Sequence, residues 1–323
     1  MSTIREVGKR AGVSVATVSR VLNNKGYVHE DTRKAVTLAI KELDYKPNSV
    51  ARSLSKKTSK TIGFLIPDIT NPFFPQLVRA VEDVMYPAGY TTMLFNSDEN
   101  LLHELEYIEG MTSKYIDGFI IASNTLQWEH LKGLHVPVVA LDRAMDERIS
   151  SVTIDNYEGS KKAIKYMIDR GCRQIAHIEG PPHVFTSMER KRAYLDSMND
   201  HKLPVLLQQG QYEIEQGMVS TMKILSEHPE VDGIFAGNDV MAIGALKAAS
   251  KLGIKVPEEL SVMGFDGVKW GTLVTPELTT MQQPIYYMGQ RAAELLLDRI
   301  QNVHSKVEHH QLHAELKVRQ SVR

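Results

Sequence analysis

From Ile62 onward the chain alternates short apolar runs with amphipathic stretches of helical period, and this alternation dictates the architecture of its larger part. The runs Ile62–Ile66, Thr91–Phe95, Gly118–Ala122 and Val136–Leu141 read as buried parallel strands. A second set follows at Gln174–Ile178, Val205–Leu207, Gly233–Ala236 and Leu260–Gly264. Such alternation winds into a parallel sheet covered by helices on both faces, and two sets make two lobes, divided near Ser160 with a return crossing near Gln282 to Pro284. At 323 residues there is room for both lobes and a further small domain, at roughly 100–200 residues per domain. The expected organisation is an all-α head over residues 1–46, a linker over 47–57, and an α/β body of two doubly wound lobes over 58–323.

The head is set apart by its charge. Residues 1–60 hold thirteen Lys or Arg against five acids, a balance of +8, which leaves −9 on the remainder of a chain whose net charge is −1. A basic module on an acidic body is the electrostatic footprint of polyanion binding. Thr3 and Glu6 have capping-box spacing ahead of Ile4, Val7 and Ala11, so a first helix runs from about Ile4 to Ala11 and stops at Gly12. Ser14 can cap a second helix with Val15, Val18, Val21 and Leu22 along one face; a third, roughly Asp31 to Leu43, carries Val36, Ala39, Ile40 and Leu43. Two short helices about a tight glycine turn make a helix-turn-helix, whose second helix enters the major groove with its first residues against base edges. Val15, Ala16 and Thr17 are therefore the candidate base readers, and Ser19, Arg20, Asn23 and Asn24 the candidate phosphate contacts.

The motifs Thr3-Ile-Arg-Glu-Val7, Ala11-Gly-Val-Ser14, Ala16-Thr-Val-Ser-Arg-Val-Leu-Asn23, Tyr45-Lys-Pro-Asn48 and Val50-Ala-Arg-Ser-Leu54 strongly resemble those of the LacI/GalR family of bacterial repressors. The resemblance implies that Thr3, Ser14, Tyr45 and Asn48 also belong to the DNA-binding surface. It further implies that Pro47 to Lys56 forms a hinge helix when two subunits pair on DNA. Leu54 of each would then wedge into the central step of a palindromic operator, widening the minor groove for Ala51 and Arg52. Taken by itself, an Ala-Arg-Ser-Leu segment is an ordinary linker.

In doubly wound sheets ligands bind beyond the carboxyl ends of the strands. Asn71, Phe73 and Phe74 follow the first strand, Asp142 and Arg143 the fourth, and Arg190 the loop after Ile178; Asn238, Asp239, Phe265, Asp266 and Gln282 stand beyond later strands. Carboxylates, guanidinium groups and amides bond vicinal hydroxyls, and phenyl rings cover the apolar face of a sugar. Each residue singly has a structural reading, as a turn pair, a core ring or a helix cap. The body also resembles periplasmic pentose-binding proteins of the ribose-binding type through Asn71-Pro-Phe-Phe74, Asp142-Arg143, Glu189-Arg190, Asn238-Asp239 and Gly264-Phe-Asp-Gly267, with Tyr212 where that type has Phe. The resemblance implies D-ribose as inducer; a hexose, a purine corepressor or a phosphoprotein coeffector is the alternative.

Other classes fit poorly. Pro67-Asp-Ile-Thr-Asn-Pro72 stands where a glycine-rich phosphate loop would follow the first strand, and no Gly-x-Ser-x-Gly elbow occurs, so no enzyme and no cofactor are expected. Cys172 reads as a small buried hydrophobe. His304, His309, His310 and His313 match no structural zinc spacing, so no metal is expected, and Gln311–Val318 alternates like a surface strand. Met1 to Gly12 lacks a signal-peptide apolar run and no stretch approaches membrane-span length, which points to the cytoplasm. A two-fold operator calls for a homodimer through the body, and no heptad tail beyond Arg323 argues for a tetramer.

Overall fold

The computed structural model describes residues 2–45, 58–112, 116–302 and 304–323, and the chain divides between Ser59 and Lys60 into two units. The hinge positions Asn48, Ala51, Arg52 and Leu54 lie outside the described residues.

In the first unit, helix α1 (Ile4–Ala11) begins where Thr3 and Glu6 satisfy each other: Glu6 N donates to Thr3 Oγ1 at 3.3 Å and Thr3 N to Glu6 Oε2 at 2.6 Å. Those bonds hold the Glu6 carboxyl below its ordinary range. Gly12 ends the helix at φ +67°, a left-handed conformation free of steric penalty only for glycine. Helix α2 (Val15–Leu22) is capped by Ser14 Oγ, which accepts from Thr17 N at 3.2 Å, and α3 (Glu30–Glu42) packs across both. Val7, Val18, Val36 and Ala39 form the buried centre, with Val21, Leu22, Ile40 and Leu43 around it. Val15 departs from the expected apolar face. It is 41% exposed, because it occupies the first turn of α2, where the core cluster does not reach.

The second unit contains two six-stranded sheets. The first is wholly parallel and uses β1 (Thr61–Ile66), β2 (Thr91–Asn96), β3 (Gly118–Ile121), β4 (Val138–Asp142), β5 (Ser150–Ile154) and β11 (His309–Leu312), in the order β11-β5-β4-β3-β1-β2. The second uses β6 (Ile175–Glu179), β7 (Leu206–Gln209), β8 (Gly233–Ala236), β9 (Ser261–Asp266), β10 (Thr279–Gln282) and β12 (Glu315–Lys317), in the order β12-β10-β9-β8-β6-β7. Only β12, paired with β10, runs antiparallel. Each sheet reverses its winding between its first and third strands, β1 and β3 in one and β6 and β8 in the other, so each lobe opens a crevice there. The helices are α4 (Phe73–Met85), α5 (Leu101–Thr112) and α6 (Trp128–Leu131) between strands of the first sheet; α7 (Asn156–Asp169), α8 (Phe185–His201), α9 (Ile214–Glu227) and α10 (Asp239–Leu252) with the second; and α11 (Ile285–Gln301), which returns to pack on α4. No described helix is long and apolar enough to cross a membrane.

Three features differ from the strand reading. First, β5 and β10 are additional strands, carried by Ser150, Ser151, Thr279 and Thr280, all buried; polar residues on an interior strand leave no apolar run to see. Second, β2 is an edge strand rather than a buried one, with Met93 40% and Leu94 37% exposed. Third, Gln311–Val318 is not one surface strand. Leu312 ends β11 in the first sheet and Glu315 starts β12 in the second, so the buried Ala314 lies on a third passage between lobes. The other passages fall at Ile154–Asn156, just ahead of α7, and at Gln283–Pro284. Two of the carboxyl-terminal histidines are hydrogen-bonding groups at this edge: His309 Nδ1 lies 2.9 Å from Ser151 Oγ, and His310 Nε2 2.9 Å from Glu308 Oε2.

Helices α9 and α10 approach through glycines. A Cβ on Gly244 would strike Ile214 O and stand 2.7 Å from Met218 N, and one on Gly217 would stand 2.6 Å from Met241 Cα. Both contacts are backbone, so the helices must separate to admit a methyl group. Gly244→Ala is expected to destabilise the body by ~1–3 kcal/mol, the usual range for overpacking, seen as a fall of several degrees in its thermal transition. An unchanged melt would mean that the helix pair is loosely seated.

Candidate functional site

At the carboxyl ends of both sheets the second unit encloses a cavity of about 440 Å³. The first lobe contributes Asn71, Phe73 and Phe74 from the β1–α4 loop, and Asp142 and Arg143 from the end of β4; the second contributes Arg190 from α8, Tyr212, Asn238 from the start of α10, and Asp266 from the end of β9. The fold brings these expected residues onto one chamber although they are spread over nearly two hundred positions of sequence. Asn71 Oδ1 accepts from Phe73 N at 3.1 Å, bending the chain into α4, and the Phe73 and Phe74 rings meet edge to face at 5.2 Å.

The two carboxylates occupy corresponding places, since each ends the fourth strand of its lobe and each has positive φ, +70° at Asp142 and +111° at Asp266. Non-glycine residues in such conformations cost about 1–3 kcal/mol and persist where the surroundings over-determine them. At Asp266 that surrounding includes Arg190, itself only 3% exposed. Its Nε donates to Asn156 Oδ1 at 2.9 Å, its Nη1 donates to Gly237 O at 2.5 Å and lies 3.1 Å from Asp266 Oδ1, and its guanidinium stacks 3.9 Å above the Phe265 ring. Burial drives both carboxyls upward, Asp142 to about 6, and the Arg190 charge opposes the shift at each.

Several buried polar atoms at this chamber have no hydrogen-bond partner among the described residues: Asp142 Oδ1, Asn238 Nδ2, Gln283 Oε1 and the Tyr212 hydroxyl. The tyrosine sits near Thr186 and Ser187 without a well-formed bond to either. The other half of each amide is committed, Asn238 Oδ1 to Met241 N at 2.9 Å and Gln283 Nε2 to Asp266 Oδ1 at 2.8 Å. Buried polar atoms are almost always paired, so acceptors and donors left open on residues of both lobes lining one chamber mark it as a site for a polar ligand.

Two expected positions change. Gln283, not Gln282, reaches the cavity, because β10 ends at Gln282 and the next residue carries the inward-facing amide. Phe265 is fully buried below the chamber as a support for Arg190 and does not line it. Arg143 lines the wall as expected, and its Nε and Nη2 in addition donate to Ser123 O at 3.0 Å and Leu126 O at 2.7 Å, so it also holds a loop. Sequence reasoning missed Glu99, Asn124, His183 and Thr186, all on the lining. Asn124, two residues past the apolar run ending at Ala122, could have been found by the strand-end rule; the others lie in loops with no such signal.

On the head, Val15 and Ala16 are exposed and Thr17 half-buried at the start of α2, with Ser14 Oγ 2.9 Å from Thr17 Oγ1. Thr3 and Arg20 are exposed, whereas Tyr45 packs against the small core. Asn23 Nδ2 donates to Ser19 O at 2.8 Å and to Ser19 Oγ at 3.2 Å. Asn24, at φ +53°, accepts from Arg33 Nη1 at 2.6 Å. These two asparagines shape the end of α2 through their own side-chain bonds.

A helix-turn-helix unit on a chain whose larger part is a two-lobed α/β cleft defines a ligand-responsive DNA-binding regulator. Residues 3–48 match the family model for bacterial regulatory proteins of the lacI family, and residues 59–319 that for periplasmic binding proteins and the sugar binding domain of the LacI family. The chain belongs to the LacI family. It is similar to the ribose operon repressor of Halalkalibacterium halodurans, 43% identical over 323 residues covering 100% of this chain and 98% of the relative. Among solved structures it is similar to a LacI family transcriptional regulator from Enterococcus faecium with bound ribose, at a TM-score of 0.76 and 30% identity over 81% of this chain and 98% of that one. It is likewise similar to the lac repressor dimer bound to operator and the anti-inducer ONPF, at a TM-score of 0.90 and 26% identity over 99% of this chain and 98% of that one.

Behind the chamber, Asp239 is fully buried on α10 and ties three elements together: Oδ2 accepts from Val268 N at 2.7 Å and Oδ1 from Thr280 Oγ1 at 2.5 Å. Burial and the neighbouring Asp266 push its carboxyl from an ordinary 3.8 up to about 8. The folded protein thus holds a proton that the unfolded chain releases near 3.8. The associated stability is fully present below about pH 4 and is lost as pH rises through about 8. Asp239→Asn is expected to flatten the decline of melting temperature across that window relative to the wild type; parallel profiles would show Asp239 ionised throughout.

Proposed function

We infer that the protein is a sugar-responsive transcriptional repressor whose effector is D-ribose. The reading is carried by the open acceptors and donors of Asp142, Asn238 and Gln283, which line one chamber together with Phe73 and Phe74, a lining with the polarity of a small polyol and apolar rings for one face of its ring. Arg190 and Asp266 supply a charged pair whose remaining hydrogen-bonding capacity matches adjacent hydroxyls. The ribose operon repressors among its relatives, and the ribose bound to the Enterococcus faecium regulator, support the same ligand.

The mechanism follows from where these groups stand. A sugar bonded to Asp142 in one lobe and to Arg190, Asn238 and Asp266 in the other favours the closed arrangement of both, and a preference for one arrangement is what shifts an equilibrium. In a homodimer on a palindromic operator, Val15, Ala16 and Thr17 meet base edges while Thr3, Ser14, Ser19 and Arg20 contact the backbone, and Leu54, Ala51 and Arg52 act in the minor groove at the centre. Closure alters the spacing of the paired heads, and operator affinity falls; the coupling is reciprocal, so operator DNA weakens sugar binding by the same factor. The protein acts in the cytoplasm, where its operator lies.

Calorimetry of the full-length protein against pentoses, hexoses and purine bases tests the ligand, with heat from D-ribose expected. Arg190→Ala should weaken that binding about 10- to 100-fold, the ~1.5–3 kcal/mol of a hydrogen bond to a charged group. Because sugar hydroxyls donate to ionised Asp142, affinity should fall as pH drops through about 6, where that carboxyl takes up its proton. A pH-independent affinity would remove Asp142 from the site. In a gel shift, ribose should release operator DNA; tighter retention would make the sugar a corepressor.

A further inference from the structure

At the rim of the cavity, two pairs of groups cross from one lobe to the other without involving the atoms assigned to the sugar. Glu99, in the loop after β2, meets His183, in the loop after β6, through Oε2 and Nε2. Asn124, after β3, accepts from Phe185 N at the start of α8 at 3.2 Å. The pairs are joined, since Asn124 Nδ2 donates to Glu99 Oε1 at 3.0 Å. His183, Glu99, Asn124 and the Phe185 amide therefore form one continuous chain of hydrogen bonds spanning the opening. His183 is 58% exposed at its side chain and Glu99 21%, which places the chain at the solvent edge of the cavity.

The Asn124 end is built to stay in place. Glu104, fully buried on α5, accepts from Ser123 Oγ at 2.9 Å and from Thr125 Oγ1, and Arg143 holds the carbonyls of Ser123 and Leu126 from the other side. A buried carboxylate and a half-buried guanidinium are thus both committed to a four-residue loop whose outward side chain is Asn124. Burying such groups is costly unless their bonds are well made, and what this pair fixes is the position of Asn124.

We propose that Glu99, Asn124 and His183 form a latch that holds the two lobes closed over the bound effector and sets how long the effector stays. They are positioning residues: they touch the opposite lobe, and the sugar is recognised by others. The latch rests on the sugar-binding reading of the cleft, and its signature is kinetic. A bond made only after the lobes meet slows release and leaves association unchanged, whereas a loss of wall structure would alter both.

The test is stopped-flow binding of D-ribose to the full-length protein, followed by the fluorescence of Trp128, which starts α6 just past the 123–126 loop. His183→Ala and Asn124→Ala are expected to release ribose about tenfold faster with unchanged association. Glu99→Gln, nearly isosteric, should do the same, and Glu99→Gln combined with His183→Ala should release it no faster than either alone. Unchanged melting temperature and operator binding show that each variant is folded. Ribose heat in the wild type with unaltered release in folded variants overturns the latch alone. No heat with any sugar in the wild type overturns the sugar reading, and the latch with it.

Discussion

The cleft depends on one guanidinium. Asp142 and Asp266 are carboxyls withdrawn from water at the ends of two strands, and burial drives both toward neutrality. Arg190 opposes that tendency at both, and it can do so only because its own position is over-determined by Asn156, the Gly237 carbonyl and the face of Phe265. A single uncompensated charge at this depth costs several kcal/mol. The pair with Asp266, with its attendant hydrogen bonds, turns that liability into a pre-oriented surface. Both aspartates also carry positive φ angles, +70° at Asp142 and +111° at Asp266, at the ends of their strands.

Legibility in the sequence followed the kind of signal each part carries. The head was readable almost residue by residue because its helix ends are local events: the Thr3–Glu6 box, the Gly12 stop and the Ser14 cap are side chain to backbone contacts within a few positions. The central strands were readable because burial on both faces enforces continuous apolar runs. β5 and β10 escaped because Ser and Thr fill their interior positions. β11 and β12 merged because the break between them falls in an alternation with no turn residue to mark it. Gln283 was missed by one position, and a one-residue slip at the end of a strand carries a side chain to the opposite face.

The cleft residues divide the same way. Those immediately beyond a strand could be placed by the rule that ligands gather at carboxyl ends, and Asp142, Asn238 and Asp266 were. Glu99 and His183 could not, since each lies in a loop, and their meeting across 84 positions of sequence is a property of the tertiary arrangement alone. Phe265 shows the converse error: adjacency to Asp266 suggested contact with ligand, but along a strand neighbouring residues face opposite ways, and this ring turns inward to stack under Arg190.

The third passage between the lobes, at Ala314, has a mechanical consequence. Two links would let one lobe twist against the other as well as bend. Three short covalent links, at 154–156, 283–284 and 313–314, oppose twisting more than two would and leave bending as the softer movement. Work done by a ligand in the chamber is then delivered mainly to bending, so a small molecule can move a whole lobe with little of its leverage lost to twisting.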